Sequence, residues 1–297
     1  MERQSEKNQM NLLTSFLLGI IQGLTEFIPV SSTAHLLIGQ TLLGIPSDDA
    51  TFAFLVIVQL GTIVSLIVYF WKDLWEIIRA MFSPVSYRKP YDPEKEESET
   101  YKKRKRSEAN ARLGWCILIA TIPALLAGYF LKDEVKLLFR QPLIEAAIRL
   151  LAAAFLMLLA EWIGKRSRRL RTITWFDALV IGLFQILAVF PGASRSGTTI
   201  SGGMLRGFHR RSSARFAFLM SIPVMLAAGG YEMFDVLKMP ELTSFLLPMA
   251  VGFVTAGVIG WFVVKWLLGY LTGHSLYPFA AYCAIAGAVC LALSRLL

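Results

Sequence analysis

The sequence predicts an all-α polytopic membrane protein, with six transmembrane helices plus two re-entrant broken-helix hairpins in an inverted repeat. Three observations carry that expectation. The 297 residues are 55% apolar with a mean hydropathy of +0.55, and the charges are crowded into a few short stretches. Uncharged runs at Thr51 to Phe70, Leu113 to Leu131 and Leu242 to Val264 are each long enough for a helix of roughly 20 residues to cross a bilayer core. They are continuous and do not alternate, which excludes a barrel. Finally, two stretches rich in hydroxyls, "QGLTEFIPVSSTAHLLIG" (Gln22 to Gly39) and "FPGASRSGTTISGGML" (Phe190 to Leu205), interrupt apolar segments where polar groups are costly unless they serve a site.

Taken in order, the N-terminal "MERQSEKNQMN" is polar, and the apolar run behind it lacks a small-residue cleavage site, so no removable signal peptide is expected. A broken helix pair at about 12–43 opens a first repeat of about 12–80. Spans follow near 51–80, 113–131 and 142–164. A second broken pair at about 175–208 opens a second repeat of about 175–236, followed by spans near 213–236, 243–270 and 276–296. The stretch Ser83 to Arg112, dense in charge and proline, reads as a solvated cytoplasmic loop. It holds nine lysines and arginines, Lys165 to Arg171 holds five, and Arg206, Arg210, Arg211 and Arg215 add four, against three at 132–141 and one at 237–243. The first three regions share the cytoplasmic side only if the chain between Trp175 and Arg206 enters and leaves by one face. By the same bookkeeping the first pair is re-entrant from the opposite face. "FAFL" recurs after each hairpin, at Phe52 to Leu55 and Phe216 to Leu219, as an internal repeat would have it. Topology therefore accounts for the net charge of +9 better than nucleic acid does, and Cys116, Cys283 and Cys290 read as core packing.

Pro29 ends the first incoming half-helix in this reading, with Ser31, Ser32 or Thr33 capping the outgoing one. Pro191 and Gly192 break the second, with Ser194 or Ser196 as caps. Two half-helix N-termini converging at depth make an anion site, for phosphate above all. Arg195 is the decisive residue: its planar fork matches phosphate oxygens, and the structural alternative is an ion pair with Glu26. Ser32 and His35 are spaced to share a helical face. Gly192 and Gly197 are candidates for backbone contact with phosphate, whereas Gly202 and Gly203 read as helix packing.

"QGLTEFIPVSSTAH" and "PGASRSGTTISGG" resemble the two signature motifs of the undecaprenyl-pyrophosphate phosphatase family, also called the bacitracin-resistance family, and the similarity runs over nearly the whole chain. The resemblance implies a hydrolase of the bacterial plasma membrane that converts a polyprenyl diphosphate to its monophosphate, recycling the carrier of cell-wall synthesis. It implies a cleft toward the periplasmic side, a divalent cation such as magnesium or calcium, membrane lipids and the lipid diphosphate as partners without nucleic acid, and room for a homodimer. Carried over by residue, it marks Glu26, Ser32, His35 and Arg195 as the central group. Ser31, Thr33, Ser194, Ser196, Gly197 and Thr198 become phosphate neighbours, and Glu26 with Gln22 the candidate metal ligands. Gln22 stands where some members carry glutamate. Ser32 is the preferred nucleophile with His35 or Glu26 as its base, with direct attack by His35 or by water the other orders. A secondary transporter or lipid flippase is the rival reading, disfavoured because transport needs the anion site but no nucleophile and base.

Overall fold

The computed structural model describes residues 11–46, 48–83, 98–131, 142–188, 194–238 and 242–294. Among them the chain folds into eleven α-helices and no strand: α1 Leu12–Thr25, α2 Ser32–Leu43, α3 Asp49–Tyr69, α4 Trp71–Met81, α5 Ser98–Phe130, α6 Pro142–Ile163, α7 Trp175–Ile186, α8 Arg195–Leu205, α9 Arg210–Val236, α10 Leu242–Tyr270 and α11 Tyr277–Leu293. Local chemistry sets the starts. Asn11 and Thr14 exchange bonds as a capping box at α1, the Asp48 carboxylate caps α3, and Thr174 with Asp177 repeats the box at α7. Helices α3, α5, α6, α9 and α10 are long and apolar enough to cross a membrane. α11, with 17 residues, is about 25 Å long. The molecule is thus an all-α polytopic membrane protein.

Two expectations about elements change. The segment 83–112 is not a loop throughout: from Ser98 onward it is the first part of α5, so the span expected at 113–131 is the apolar end of a 33-residue helix. Lys, Arg, Glu and Ala are good helix formers, and the Lys102–Glu99 and Arg104–Glu108 pairs bridge one turn each, so a charged stretch continues the span. Residues 84–97 of that expected loop lie outside the described residues. The span expected at 51–80 is two helices, because Phe70 leaves helical geometry between them. α4 carries an exposed apolar stripe, Trp71, Trp75 and Ile78, continued by Phe82 at its C-cap, as a helix lying in a membrane interface does.

The two hairpins are seated in the same way, each against a helix from the other half of the chain. α1 packs on α10 and α7 packs on α5, while α3 leans on α10 and α9 on α5. Glycines set how close these helices come. A Cβ on Gly19 of α1 would lie 2.8 Å from the Gly252 carbonyl oxygen, and one on Gly182 of α7 would lie 2.6 Å from that of Ala120. Within the hairpins, Gly39 of α2 faces Ile21 of α1, and Gly202 of α8 faces Phe184 of α7. Gly19, Ile21, Gln22, the N-cap Ser31 and Gly39 match Gly182, Phe184, Gln185, the N-cap Ser194 and Gly202 at one constant offset. Gly202 and Gly203 are packing residues as read, the latter against Ser213.

The basic stretches gather at one end of the bundle. Arg168 and Arg206 both bind the buried Asp177, and Arg166 and Arg210 both bind the buried Glu161, which also accepts the Leu276 backbone N–H at the start of α11. Arg215 reaches Asp73 and Arg112 reaches the Arg171 carbonyl. The chain entering α7 and the chain leaving α8 are hydrogen-bonded to each other, through Ser167 and Arg168 N–H to the Gly207 carbonyl and His209 N–H to that of Arg168, with Gly207 at a φ of +85° in the turn. Both ends of the second hairpin therefore lie together, where a single crossing would separate them.

Close backbone approach at Gly182 has a measurable consequence. Gly182→Ala forces its methyl onto the Ala120 carbonyl and should cost about 1–3 kcal/mol, lowering the melting temperature in detergent. Gly230→Ala on α9, where nothing lies within 4 Å, should leave it unchanged or raise it through helix propensity. Equal melting shifts in the two variants would show that α7 does not need its contact with α5.

Candidate functional site

The site forms where the two hairpin breaks meet. α1 ends after Thr25, and residues 26–30 make a turn rather than a helix, as Pro29 requires. α8 begins at Arg195, with the Ser194 hydroxyl accepting the Gly197 N–H at 3.1 Å. The expected break at Pro191 and Gly192 lies outside the described residues. Ser196 Oγ reaches the Ile28 carbonyl at 3.4 Å, and the open side of Gly197 faces Pro29, so the start of α8 rests on the turn of the first hairpin.

At their junction Arg195 Nη2 donates to Glu26 Oε1 at 2.6 Å. Both side chains are largely withdrawn from solvent, 18% and 8% exposed, so each charge depends on the other. The other carboxylate oxygen, Oε2, accepts from Ser32 Oγ at 2.7 Å and from Gln22 Nε2 at 3.0 Å. Thr198 and Thr199 hydroxyls both donate to the Arg195 carbonyl, which fixes the backbone that presents the guanidinium. The ion pair that the sequence offered as an alternative to function is therefore present. It stands at the N-terminus of α8, whose first N–H groups have no intrahelical partner.

His35 and Ser32 lie on one helix, as their spacing implies, but they bind different partners. His35 Nδ1 lies 2.8 Å from the Ser31 carbonyl and its Nε2 lies 2.5 Å from the Tyr282 hydroxyl of α11, while Ser32 turns to Glu26. Sharing a helical face with Ser32 did not make His35 its hydrogen-bond partner, because both imidazole nitrogens are engaged elsewhere. Ser31 occupies the N-cap of α2 but makes no side-chain cap bond; its φ is +70°. Thr33 is exposed on α2. Gln22 meets Glu26 through its N–H, not through an oxygen that would ligate a cation. Cys283, buried as read, donates its thiol to the Pro29 carbonyl at 3.4 Å, and Tyr282 beside it carries no sequence signal. Tyr282 is 247 residues from His35, and no motif marks it.

The arrangement places a serine hydroxyl on a carboxylate, the carboxylate on a guanidinium, and the guanidinium at a helix N-terminus. Such a set can pass a proton from hydroxyl to carboxylate and can offer an anion a guanidinium and a helix N-terminus.

Comparison with known proteins bears on this geometry. A sequence profile described as bacitracin resistance protein BacA matches residues 15–289. An undecaprenyl-diphosphatase of Anaeromyxobacter dehalogenans is 39% identical over 96% of this chain and 92% of its own length. One from Chloroherpeton thalassium is 38% identical over 96% and 97%, and one from Mycolicibacterium vanbaalenii is 36% identical over the same shares.

Coupling between the two charges is measurable without any substrate. Glu26→Gln and Arg195→Gln should each destabilise the fold by leaving the partner charge buried and unpaired, a loss of about 3–5 kcal/mol. The double variant should then lose clearly less than the sum of the two, with a coupling of about 1–3 kcal/mol in a thermal or denaturant cycle in detergent. Additive effects would mean that the two groups do not share their burial cost.

Proposed function

We propose a function from one premise, that the chain belongs to the bacitracin resistance protein BacA family: it is an integral membrane hydrolase that converts undecaprenyl diphosphate to undecaprenyl phosphate and inorganic phosphate. The Ser32 hydroxyl on the Glu26 carboxylate, next to Arg195, is the observation that carries this reading. A transporter needs the anion site alone, and a hydroxyl already donating to a base favours hydrolysis.

In this mechanism the terminal phosphoryl group lies against the N-terminus of α8, where Arg195 and the N–H groups neutralise its oxygens and stabilise the charge it carries in the transition state. Ser32 Oγ attacks that phosphorus as Glu26 takes its proton, the bridging P–O bond breaks, and the polyprenyl phosphate leaves. Water then attacks the phosphoseryl group, inorganic phosphate departs and Ser32 is restored. Of the two bases open at the outset, the 2.7 Å bond supports Glu26. Ser194, Ser196, Gly197 and Thr198 serve here by building the helix start, and Ser31 by aiming its carbonyl at His35.

The donor set also bears on the cation. Near Glu26 the described residues offer one carboxylate, the Ser32 hydroxyl and, after a flip, the Gln22 amide oxygen, and no group of three or more His, Cys, Asp or Glu side chains stands together among them. That set fits magnesium, which keeps several waters and is held by one or two carboxylates together with substrate phosphates. When bound, the ion would neutralise charge on the diphosphate, with Glu26 and Gln22 as its protein ligands.

The bacterial plasma membrane, a re-entrant inverted repeat and a cleft on the side opposite the basic end complete the proposal. Equivalent glycine contacts in the two hairpins and the clustered arginines support it.

Phosphate release from a C55 diphosphate by purified protein, with and without chelator, tests the reading. Release that stops with chelator and in Ser32→Ala is expected, and rapid quenching should trap a phosphoserine. Trapped phosphohistidine would move the nucleophile to His35, and lipid transport without phosphate release under any metal condition would reverse the class. Arg195→Lys should be nearly as inactive as Arg195→Ala, because a point charge on a flexible stem reproduces neither the bond to Glu26 nor a second bond to phosphate.

Position 22 gives a metal prediction. Gln22→Glu adds a charged oxygen one turn before Glu26 and should lower the magnesium concentration for half-maximal release. Titration at several pH values separates this from a raised carboxyl pKa. A half-saturating concentration that is unchanged or higher throughout would place the cation on the substrate phosphates alone.

A further inference from the structure

We infer that Tyr282 is the positioning residue of His35, holding Nε2 and the plane of the ring while the Ser31 carbonyl sets the tautomer; the consequence for turnover rests on the phosphatase reading above. A carbonyl oxygen only accepts, so the 2.8 Å contact from His35 Nδ1 puts a hydrogen on that nitrogen. A neutral ring then has its lone pair on Nε2, and the Tyr282 hydroxyl at 2.5 Å is oriented to donate to it. Should the ring gain a second proton, the same hydroxyl accepts instead. Both nitrogens are therefore held whatever the charge, and the phenol and imidazole planes stack at 17° with centroids 5.6 Å apart, which fixes the ring rotation as well.

Two further features support the assignment. Ser31 is one of only two non-glycine residues with positive φ among the described residues, at +70°, and its carbonyl, the N-cap acceptor of the His35 backbone N–H, also receives the His35 ring. Strain of this kind persists where the surroundings over-determine it. Tyr282 is 46% exposed, yet its hydroxyl is turned to His35, and the neighbouring Cys283 thiol touches the Pro29 carbonyl. Two consecutive residues of α11 are thus applied to the first hairpin break. Because Ser32 already has Glu26, the step left for His35 is the second one, in which the Nε2 that Tyr282 holds takes a proton from the water attacking the phosphoseryl group.

The chain has three histidines, which makes the test direct. Protein labelled with 15N-histidine in detergent micelles should show His35, assigned by loss of its signals in His35→Asn, with hydrogen on Nδ1 and none on Nε2 at alkaline pH. In Tyr282→Phe, which keeps the stacked ring and removes only the hydroxyl, the hydrogen should stay on Nδ1 while the Nε2 signal shifts as its hydrogen bond is lost. kcat for phosphate release should fall on the order of tenfold with KM little changed, the effect of losing one hydrogen bond to a working group. A wild-type ring protonated on Nε2, a spectrum that Tyr282→Phe leaves unaltered, or a loss confined to KM each overturns the inference. If the Nε2 signal shifts as expected while neither protein releases phosphate, the positioning stands and the phosphatase reading falls.

Discussion

A single buried ion pair governs how the two halves of this bundle meet. Glu26 and Arg195 lie 169 residues apart, each at the end of a broken helix, and neither charge is tolerable at that depth without the other. Their pairing obliges the two breaks to converge, and convergence brings the α8 N-terminus, the Ser32 hydroxyl and the Gln22 amide into one shell. Chemistry and architecture are here the same constraint: a guanidinium that holds the fold closed is also the cation that a phosphate would meet.

The scaffold around that pair is duplicated, whereas the chemistry is not. Gly19 and Gly182, Gln22 and Gln185, Gly39 and Gly202 keep the same offset and, for the glycines, the same kind of contact. At that offset Glu26 corresponds to Val189, Ser32 to Arg195 and His35 to Thr198. One hairpin supplies acid, hydroxyl and imidazole; the other supplies the positive charge. Gln185 shows the asymmetry most plainly, since it is buried with neither amide atom hydrogen-bonded among the described residues, while Gln22 has Glu26 to bind. At the basic end, Asp177 and Glu161 each bind two arginines, which ties the second hairpin to its flanking chain and to the start of α11.

Much of this was readable in the sequence because it rests on local patterns. Apolar runs gave the spans, proline and hydroxyl clusters gave the breaks, and the arginine bias brought 165–171 and 206–215 to one end. Glu26, Ser32 and Arg195 were recognisable because polar groups in hydrocarbon demand a reason. What was not readable depends on tertiary approach. Residues 98–112 look like a solvated loop by charge, yet their helix propensity joins them to the apolar run of α5. Spacing left His35 and Glu26 both open as partners of Ser32, and the fold brings Ser32 to Glu26 and His35 to a residue on a distant helix. Tyr282 looks like any aromatic on a lipid-facing helix, and only the fold brings its hydroxyl to an imidazole.

The exchange of seats between halves also sets an order of assembly. α1 is among the first segments synthesised, yet the surface it packs into, Gly252, Thr255 and Ile259 on α10, lies near the far end of the chain. α7, by contrast, finds Ala120 already made. The second hairpin can thus dock as it emerges from the ribosome, while the first waits with Glu26 and Ser32 unplaced until most of the protein exists. Long sequence separation makes such contacts slow to form. The ion pair therefore closes late in biogenesis, and a chain truncated before α10 lacks the wall on which its first hairpin rests.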